Sequence, residues 1–456
     1  MSAPLSSTEL DRKYVLHPYT NLSAHQESGP ITVTRGEGIY VWDDKGNKLI
    51  EGLAGLWCTS LGFSEQRLID AAMRQFQTLP YSHLFTHRST EPAIELSQRL
   101  VEIAPGAIAR AYLVNSGSEA VDTAIKMVWF YHNAIGKPRK KRIISRKRAY
   151  HGITVASGSL TALPYAQDGF DLPAIDVLHC ETPHHYRYAN DGESEEEFSA
   201  RLARELDEQI QAEDPDTIGG FIAEPVMGAG GVLVPPAGYF EKIQAVLKKH
   251  DILMIADEVI CGFGRTGNMW GSDTYGIEPD LITCAKQLSS AYLPIGGVLL
   301  TDHVYQGFVR GSDKLGIFGT GNTYGGHPVS CAVALETLNI YRDDRTIDHV
   351  NAVSPTFLER LHALSAHPLV GHTRGVGLIG GIELVEDKDS KAQYPVADKV
   401  AVRVMNACRT NGVIVRAVPG DGIGICPPLI ISDEQIHEMF DGIQRGLDVV
   451  AEELAN

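Results

Sequence analysis

The sequence predicts a layered α/β fold in which parallel strands are joined by helical crossovers. From about residue 66 to 325 short apolar runs alternate with longer amphipathic ones, the trace that parallel strands and their covering helices leave in a chain. The flanks break that alternation, and nowhere do about 18 apolar residues run together. At 456 residues the chain is long enough for two or three domains, or for one large domain with a smaller one appended.

Taken in order, 31–50 reads as a hairpin, with turn signals Arg-Gly-Glu-Gly at 35–38 and Asp-Asp-Lys-Gly-Asn at 43–47. Strands are expected at 111–115, 142–145, 218–223, 252–256, 281–284 and 297–301, each a short apolar run bounded by turn or charged residues. Helical stretches lie between them, as at 119–133 and 239–249. From Pro328 a long helix begins, followed by an α+β tail, and no internal repeat is found.

Composition narrows the function classes. A net charge of −17 argues against a nucleic-acid partner, because phosphate binding needs a surplus of lysine and arginine. The one basic cluster, Lys137 to Arg148, reads as a solvated surface segment. Seven cysteines form no CxxC pair, and an odd number cannot pair fully within one chain, so they read as reduced core thiols of a cytoplasmic protein. Met1-Ser2-Ala3-Pro4-Leu5-Ser6-Ser7 carries no charged segment with an apolar stretch behind it, so neither secretion nor a membrane span is expected.

The chemistry is concentrated at two strand ends. One apolar run closes on Asp257-Glu258 and a later one on Lys286. An amine that can condense with an aldehyde, near a carboxylate that can hold a pyridinium protonated, is what Schiff-base chemistry on pyridoxal phosphate requires. Read singly, Lys286 could be a solvated strand end and Asp257 a helix N-cap. Asn115-Ser116-Gly117-Ser118-Glu119 follows a strand and opens a helix, so its free N–H groups and dipole suit a phosphate, although an ordinary serine cap would read the same way. The loop from Phe318 to Pro328 is rich in donors and could wrap an anion. Arg416 closes 413–416 and could fork onto a substrate carboxylate, or stand as an exposed strand end.

Two stretches match GxGxxG, at 262–267 and 375–380. Neither opens a helix directly after a strand, so neither supports a dinucleotide site. His83 and His87 lie one helical turn apart without a third ligand, and no metal is expected.

Around Asp257 the chain reads Ala-Asp-Glu-Val-Ile-Cys-Gly-Phe-Gly-Arg-Thr-Gly, and around Lys286 it continues Gln-Leu-Ser-Ser-Ala-Tyr-Leu-Pro-Ile-Gly-Gly. Over nearly its whole length the sequence resembles the class III (omega) aminotransferases. That resemblance implies a fold-type I architecture: a large, mixed, mostly parallel seven-stranded sheet and a smaller α+β domain from both termini. The boundaries expected are 1–65 and 328–456 for the small domain and 66–327 for the large one.

The resemblance also implies roles. Lys286 is the covalent anchor and Asp257 the partner of the pyridine nitrogen. Ser116, Gly117 and Ser118 take the phosphate, Tyr150 stacks on the ring, Glu224 joins the polar network, and His151 and Val259 complete the cofactor contacts. Thr323 reaches the cofactor phosphate of a neighbouring subunit, which implies a homodimer with shared sites, and dimers could pair into tetramers. Tyr19, Trp57, Phe85, Tyr150 and Arg416 form the substrate pocket. The activity implied is transfer of an amino group from an amine or an omega- or beta-amino acid to a 2-oxo acid such as pyruvate. Decarboxylases, aminomutases and racemases share the scaffold and stay open at this point. Acetylornithine- and GABA-type relatives use an N-terminal arginine for a distal carboxylate; around Tyr19 and Trp57 this chain has aromatics instead. It also departs from its relatives at Gln287 and Ala291, where glycine is usual.

Overall fold

The computed structural model describes residues 5–455. The first four residues of the leader-free N-terminus expected above, and the last residue of the chain, lie outside the described residues. At the centre stands a seven-stranded sheet in the order Ile108–Val114, Gly296–Thr301, Leu281–Cys284, Leu253–Asp257, Ile218–Ala223, Arg142–Arg146, Val177–Cys180. Gly296–Thr301 runs antiparallel to both neighbours, and the other pairs are parallel. This is the mixed, mostly parallel sheet that the sequence predicts. Four of its five inner strands, all but Arg142–Arg146, are buried along their whole length, as a sheet covered on both faces requires.

Six of the seven strands are expected from apolar runs. The seventh, Val177–Cys180, is missed because it is a four-residue edge strand with alternating burial, too short to stand out from the loops around it. The helix Gly117–Ala134 covers one face and buries Ala120, Val121, Ala124 and Val128. Pro328–Asp343 is the long helix that Pro328 opens, with the proline in its first turn, where its missing N–H costs nothing.

The termini join in smaller sheets. The hairpin strands Val33–Glu37, Tyr40–Asp43 and Lys48–Glu51 are extended by Val413–Ile414, whose Val413 pairs in parallel with Ile50. A second four-stranded sheet contains Val370–Val376, Ile379–Leu384, Gly422–Ile425 and Arg416–Val418. The smaller domain thus draws on both ends of the chain. Among the described residues no helix is long and apolar enough to cross a membrane.

The basic cluster is not a simple solvated segment. Lys140 and Arg146 are buried. Lys140 Nζ donates to the carbonyls of Ile218 (3.2 Å), His250 (3.0 Å) and Asp251 (2.8 Å), so its charge is met by backbone dipoles where a strand begins. Arg146 Nη2 donates to the Glu224 carbonyl at 2.6 Å, joining neighbouring strand ends. A run of charges cannot reveal which of its members the fold will enclose.

The two GxGxxG stretches pack against each other. Arg265 Nη1 donates to the carbonyls of Leu378 (3.0 Å) and Pro427 (2.5 Å), and Leu378 N donates to the Arg265 carbonyl at 3.0 Å. Gly377 has φ +56°, and a Cβ there would stand 2.4 Å from the Arg265 carbonyl oxygen. Glycine is needed for that approach, and neither stretch opens a nucleotide-binding helix.

Candidate active site

Five strand ends meet at one edge of the central sheet, the edge where open α/β sheets place their ligands. After Val114 comes Ser116-Gly117-Ser118, after Arg146 come Tyr150 and His151, after Ala223 comes Glu224, Asp257 closes its own strand, and Lys286 follows Cys284. All of these residues line one cavity of about 350 Å³, together with Pro18, Tyr19, Trp57, Val259 and Arg416. Residues widely separated in sequence are thus assembled around one cavity.

The acidic pair splits its duties by strand alternation. Asp257 faces the cavity, whereas Glu258 is fully buried and accepts from Gly271 N (3.0 Å), Ser272 N (2.6 Å) and Ser272 Oγ (2.6 Å). Burial pushes the Glu258 carboxyl up to about 7. Asp257 Oδ2 stands 2.6 Å from His151 Nδ1, and its Oδ1 accepts from Thr283 Oγ1 and Val259 N, each at 3.2 Å. These contacts fix a carboxylate at the base of the cavity.

Lys286 is only partly exposed, and its residue has φ +51°, a left-handed conformation uncommon for non-glycine residues. Burial pulls its ammonium below the ordinary value, and Cys58, Asp257 and Glu224 pull the other way. A depressed lysine carries more of the neutral amine that condenses with an aldehyde. The neighbouring Gln287 is fully buried and donates through Nε2 to the carbonyls of Ile260 (2.6 Å) and Gly262 (3.0 Å), while accepting from Arg265 Nη2 at 3.2 Å. The Gln287 side chain therefore ties the segment beside Lys286 to the glycine-rich turn.

Opposed needs are met around Glu224. Its Oε1 accepts from Tyr150 N (3.1 Å) and its Oε2 from Gly228 N (2.9 Å), and burial raises its carboxyl. Tyr150 is thereby held by its backbone, leaving its ring in the cavity wall. Tyr19 OH reaches Tyr150 OH at 3.4 Å and its ring meets Tyr165 edge-on at 5.9 Å between centroids. Tyr165 also lines the cavity, and sequence reasoning misses it, because it sits in a four-residue helix without a motif around it.

At the other end of the cavity residues, Ser116 caps the helix Gly117–Ala134 by accepting from Glu119 N at 3.2 Å. A Cβ at Gly117 would stand 2.9 Å from Val259 Cγ1, so only glycine lets the helix start approach the Asp257 strand end. Arg416 opens the strand Arg416–Val418, paired with Gly424, instead of closing one on a loop. Its guanidinium has no hydrogen bond or ion pair among the described residues.

Phe85 and Thr323 are not brought to this cavity within the chain. They lie near each other: a Cβ at Gly321 would meet the Phe85 ring at 2.7 Å, and the Thr323 carbonyl accepts from Tyr81 OH at 2.9 Å.

The residues fit pyridoxal phosphate: a lysine whose ammonium burial disfavours, a fixed carboxylate, an aromatic face and a helix N-terminus surround one space of suitable size. Residues 22–447 match the family model of aminotransferase class-III. The chain is 50% identical over 427 residues to a gamma aminobutyrate transaminase, a mitochondrial protein of Solanum lycopersicum, covering 93% of this chain and 83% of that one. Among solved structures, the omega transaminase from Pseudomonas jessenii in complex with PMP is 51% identical with a TM-score of 0.97, covering 99% of each chain. A transaminase solved with L-alanine is 50% identical with a TM-score of 0.91, covering 93% of this chain and all of that one.

Proposed function

The chain belongs to the class III aminotransferases, which use pyridoxal phosphate, and from that premise we propose that it moves the amino group of an amine, or of an omega- or beta-amino acid, to pyruvate. The observation that carries this reading is the Arg416 guanidinium, without a hydrogen-bond or ion-pair partner among the described residues, in the same cavity as Lys286. A cation left without a counter-ion in a wall of tyrosines and apolar groups is suited to a substrate carboxylate. The relative solved with L-alanine, the amino acid that pyruvate becomes, supports that acceptor. The plant relative's name points to an amino acid with a distal carboxylate, and Arg416 is the one arginine lining the cavity among the described residues, so donor and acceptor carboxylates would use it in turn.

When bound, the cofactor supplies an aldehyde that condenses with amines and a ring that accepts electrons released at the substrate carbon. Lys286 Nζ anchors it and then carries the proton released at the amine-bearing carbon. Asp257, held by His151 and Thr283, keeps a negative charge against the ring nitrogen. Backbone N–H groups at 116–118 take the phosphate. Tyr150 offers its ring as a platform, and Tyr19, Trp57 and Tyr165 exclude water from the donor.

The neighbouring-subunit role expected of Thr323 places it, with Phe85, at the site of a second copy. Exposed Leu56, Tyr81, Phe85, Ile153, Val155 and Tyr324 supply apolar surface that such a homodimer would cover. Residues 1–65 and 328–456 would act as the small domain and 66–327 as the large one, a division supported by the Val413–Ile50 pairing. Seven free cysteines suit a reducing compartment, the cytoplasm.

The test is a panel of amine donors with pyruvate, following alanine formation, keto product and release of carbon dioxide. Alanine and keto product in equal amounts are expected. Carbon dioxide without alanine would move the protein to a decarboxylase.

A further inference from the structure

Away from the cavity, and among the described residues, one group of three metal-competent side chains comes together: Asp11, His17 and His25. Asp11 lies in the helix Ser7–Tyr14, His25 in the helix Leu22–Ser28, and His17 in the connection between them. His17 Nε2 stands 3.0 Å from both oxygens of Asp11, and His25 Nε2 stands 2.9 Å from Asp11 Oδ1. The same nitrogen of two imidazoles is thus aimed at one carboxylate. Their ring centroids are 4.3 Å apart. His25 is buried, while His17 and Asp11 are partly exposed.

We propose that Asp11, His17 and His25 form a binding site for a divalent transition ion of the zinc class. In a tetrahedral centre with metal–ligand bonds of about 2.0–2.2 Å, neighbouring donor atoms stand roughly 3.3 Å apart. The carboxylate–imidazole contacts of 2.9 to 3.0 Å therefore need to open by only a few tenths of an ångström, and all three donor atoms already lie within 4.8 Å of one another. Two imidazoles and a carboxylate favour zinc, nickel or copper over magnesium and calcium, which prefer all-oxygen shells. The exposed side leaves a fourth position for water. In the ion-free arrangement each ring donates its Nε2 proton to Asp11. On binding, the two neutral rings carry that proton on Nδ1 instead, so two hydrogen bonds are exchanged for two metal–nitrogen bonds.

The ligands flank the segment that carries Pro18 and Tyr19 into the cavity wall. Tyr19 has φ +51° and is largely exposed, so little besides its contacts with Tyr150 and Tyr165 holds it. An ion bridging both helices and the connection would hold that segment in place. This consequence, unlike the site itself, rests on the reading of the cavity as the donor pocket.

The test uses tag-free holoenzyme, dialysed against a chelator and titrated with zinc chloride by calorimetry. One saturable site per chain is expected, with affinity at least about tenfold weaker in both His25→Gln and Asp11→Asn, and no heat with magnesium chloride. X-ray absorption should report two imidazole nitrogens in the zinc shell. Unchanged zinc affinity in both variants, with their circular dichroism intact, overturns the site. The titration needs no turnover, so it stands apart from the aminotransferase reading. A second measurement compares KM for the amine donor with and without zinc in wild type. A lower KM with zinc, lost in His25→Gln, is expected; an identical KM with zinc bound overturns the link to Tyr19.

Discussion

His151 Nδ1 lies 2.6 Å from Asp257 Oδ2, with both side chains buried. Three groups fix the orientation of the Asp257 carboxylate: His151 Nδ1, Thr283 Oγ1 and Val259 N. From this contact His151 is expected to act through Asp257 as a positioning residue.

Asp257→Asn should retain some cofactor and lose most activity, because an amide cannot hold the pyridinium proton. His151→Ala should keep the cofactor but lower kcat on the order of 10²-fold through a misplaced carboxylate, with the pH dependence of the cofactor's absorbance shifted. A normal absorbance titration alongside a lowered kcat would sink the positioning role.

Lys286→Ala should abolish transamination and leave the protein folded. The pH dependence is best read from Lys286→Met in the cofactor-free protein. Burial lowers the folded lysine below its ordinary 10.5. Between the lowered value and 10.5 the unfolded chain binds the extra proton, so wild-type stability rises with pH. Wild type should therefore start less stable than Lys286→Met and close the gap by up to about 1.4 kcal/mol per pH unit across that window. Urea unfolding of both proteins from neutral pH upward measures the gap; one that stays constant contradicts burial as the cause.

Gln287→Ala should destabilise the protein by about 2–4 kcal/mol, since two buried carbonyls and the Arg265 guanidinium lose a partner together. Chemical denaturation checks this. A loss below about 0.5 kcal/mol would mean that water replaces the amide.

Ala291 has φ +63° and is exposed, so its Cβ strains the backbone there. Ala291→Gly should add about 0.5–1 kcal/mol of stability, the relief being partly offset by glycine's greater freedom in the unfolded chain. An unchanged denaturation midpoint would show that the loop has already relaxed the strain.

Much of this site is legible because strand ends announce themselves: Asp257, Lys286 and Glu224 each follow an apolar run, and the sheet brings such ends to one edge. Tyr165 and the Asp11 cluster are not legible, since each depends on packing between segments that share no periodic pattern. The Asp257–His151 contact is intermediate. Both residues are singled out from the sequence, but only the fold sets the imidazole on the carboxylate rather than on the ligand. Lys140 shows the converse, a charge whose burial depends on the carbonyls of Ile218, where a strand begins, and of His250 and Asp251, in the turn after the helix Tyr239–Lys249.

Arg416→Ala should separate substrates by whether they carry a carboxylate. Among the described residues the guanidinium has no hydrogen-bond or ion-pair partner, so its removal strands no charge there, and the loss falls on the ligand contact. A bidentate charged contact in a partly desolvated wall contributes about 2–3 kcal/mol, or roughly 30- to 150-fold in affinity. The half-reaction with pyruvate should weaken by that factor, while the half-reaction with 1-phenylethylamine, which carries no carboxylate, should change less than about threefold. Each half-reaction is followed under single-turnover conditions through the cofactor's absorbance, with substrate titrated separately. Equal losses for both substrates would show that Arg416 supports the strand Arg416–Val418 or the cofactor, because a role confined to carboxylate recognition cannot be felt by an amine without one.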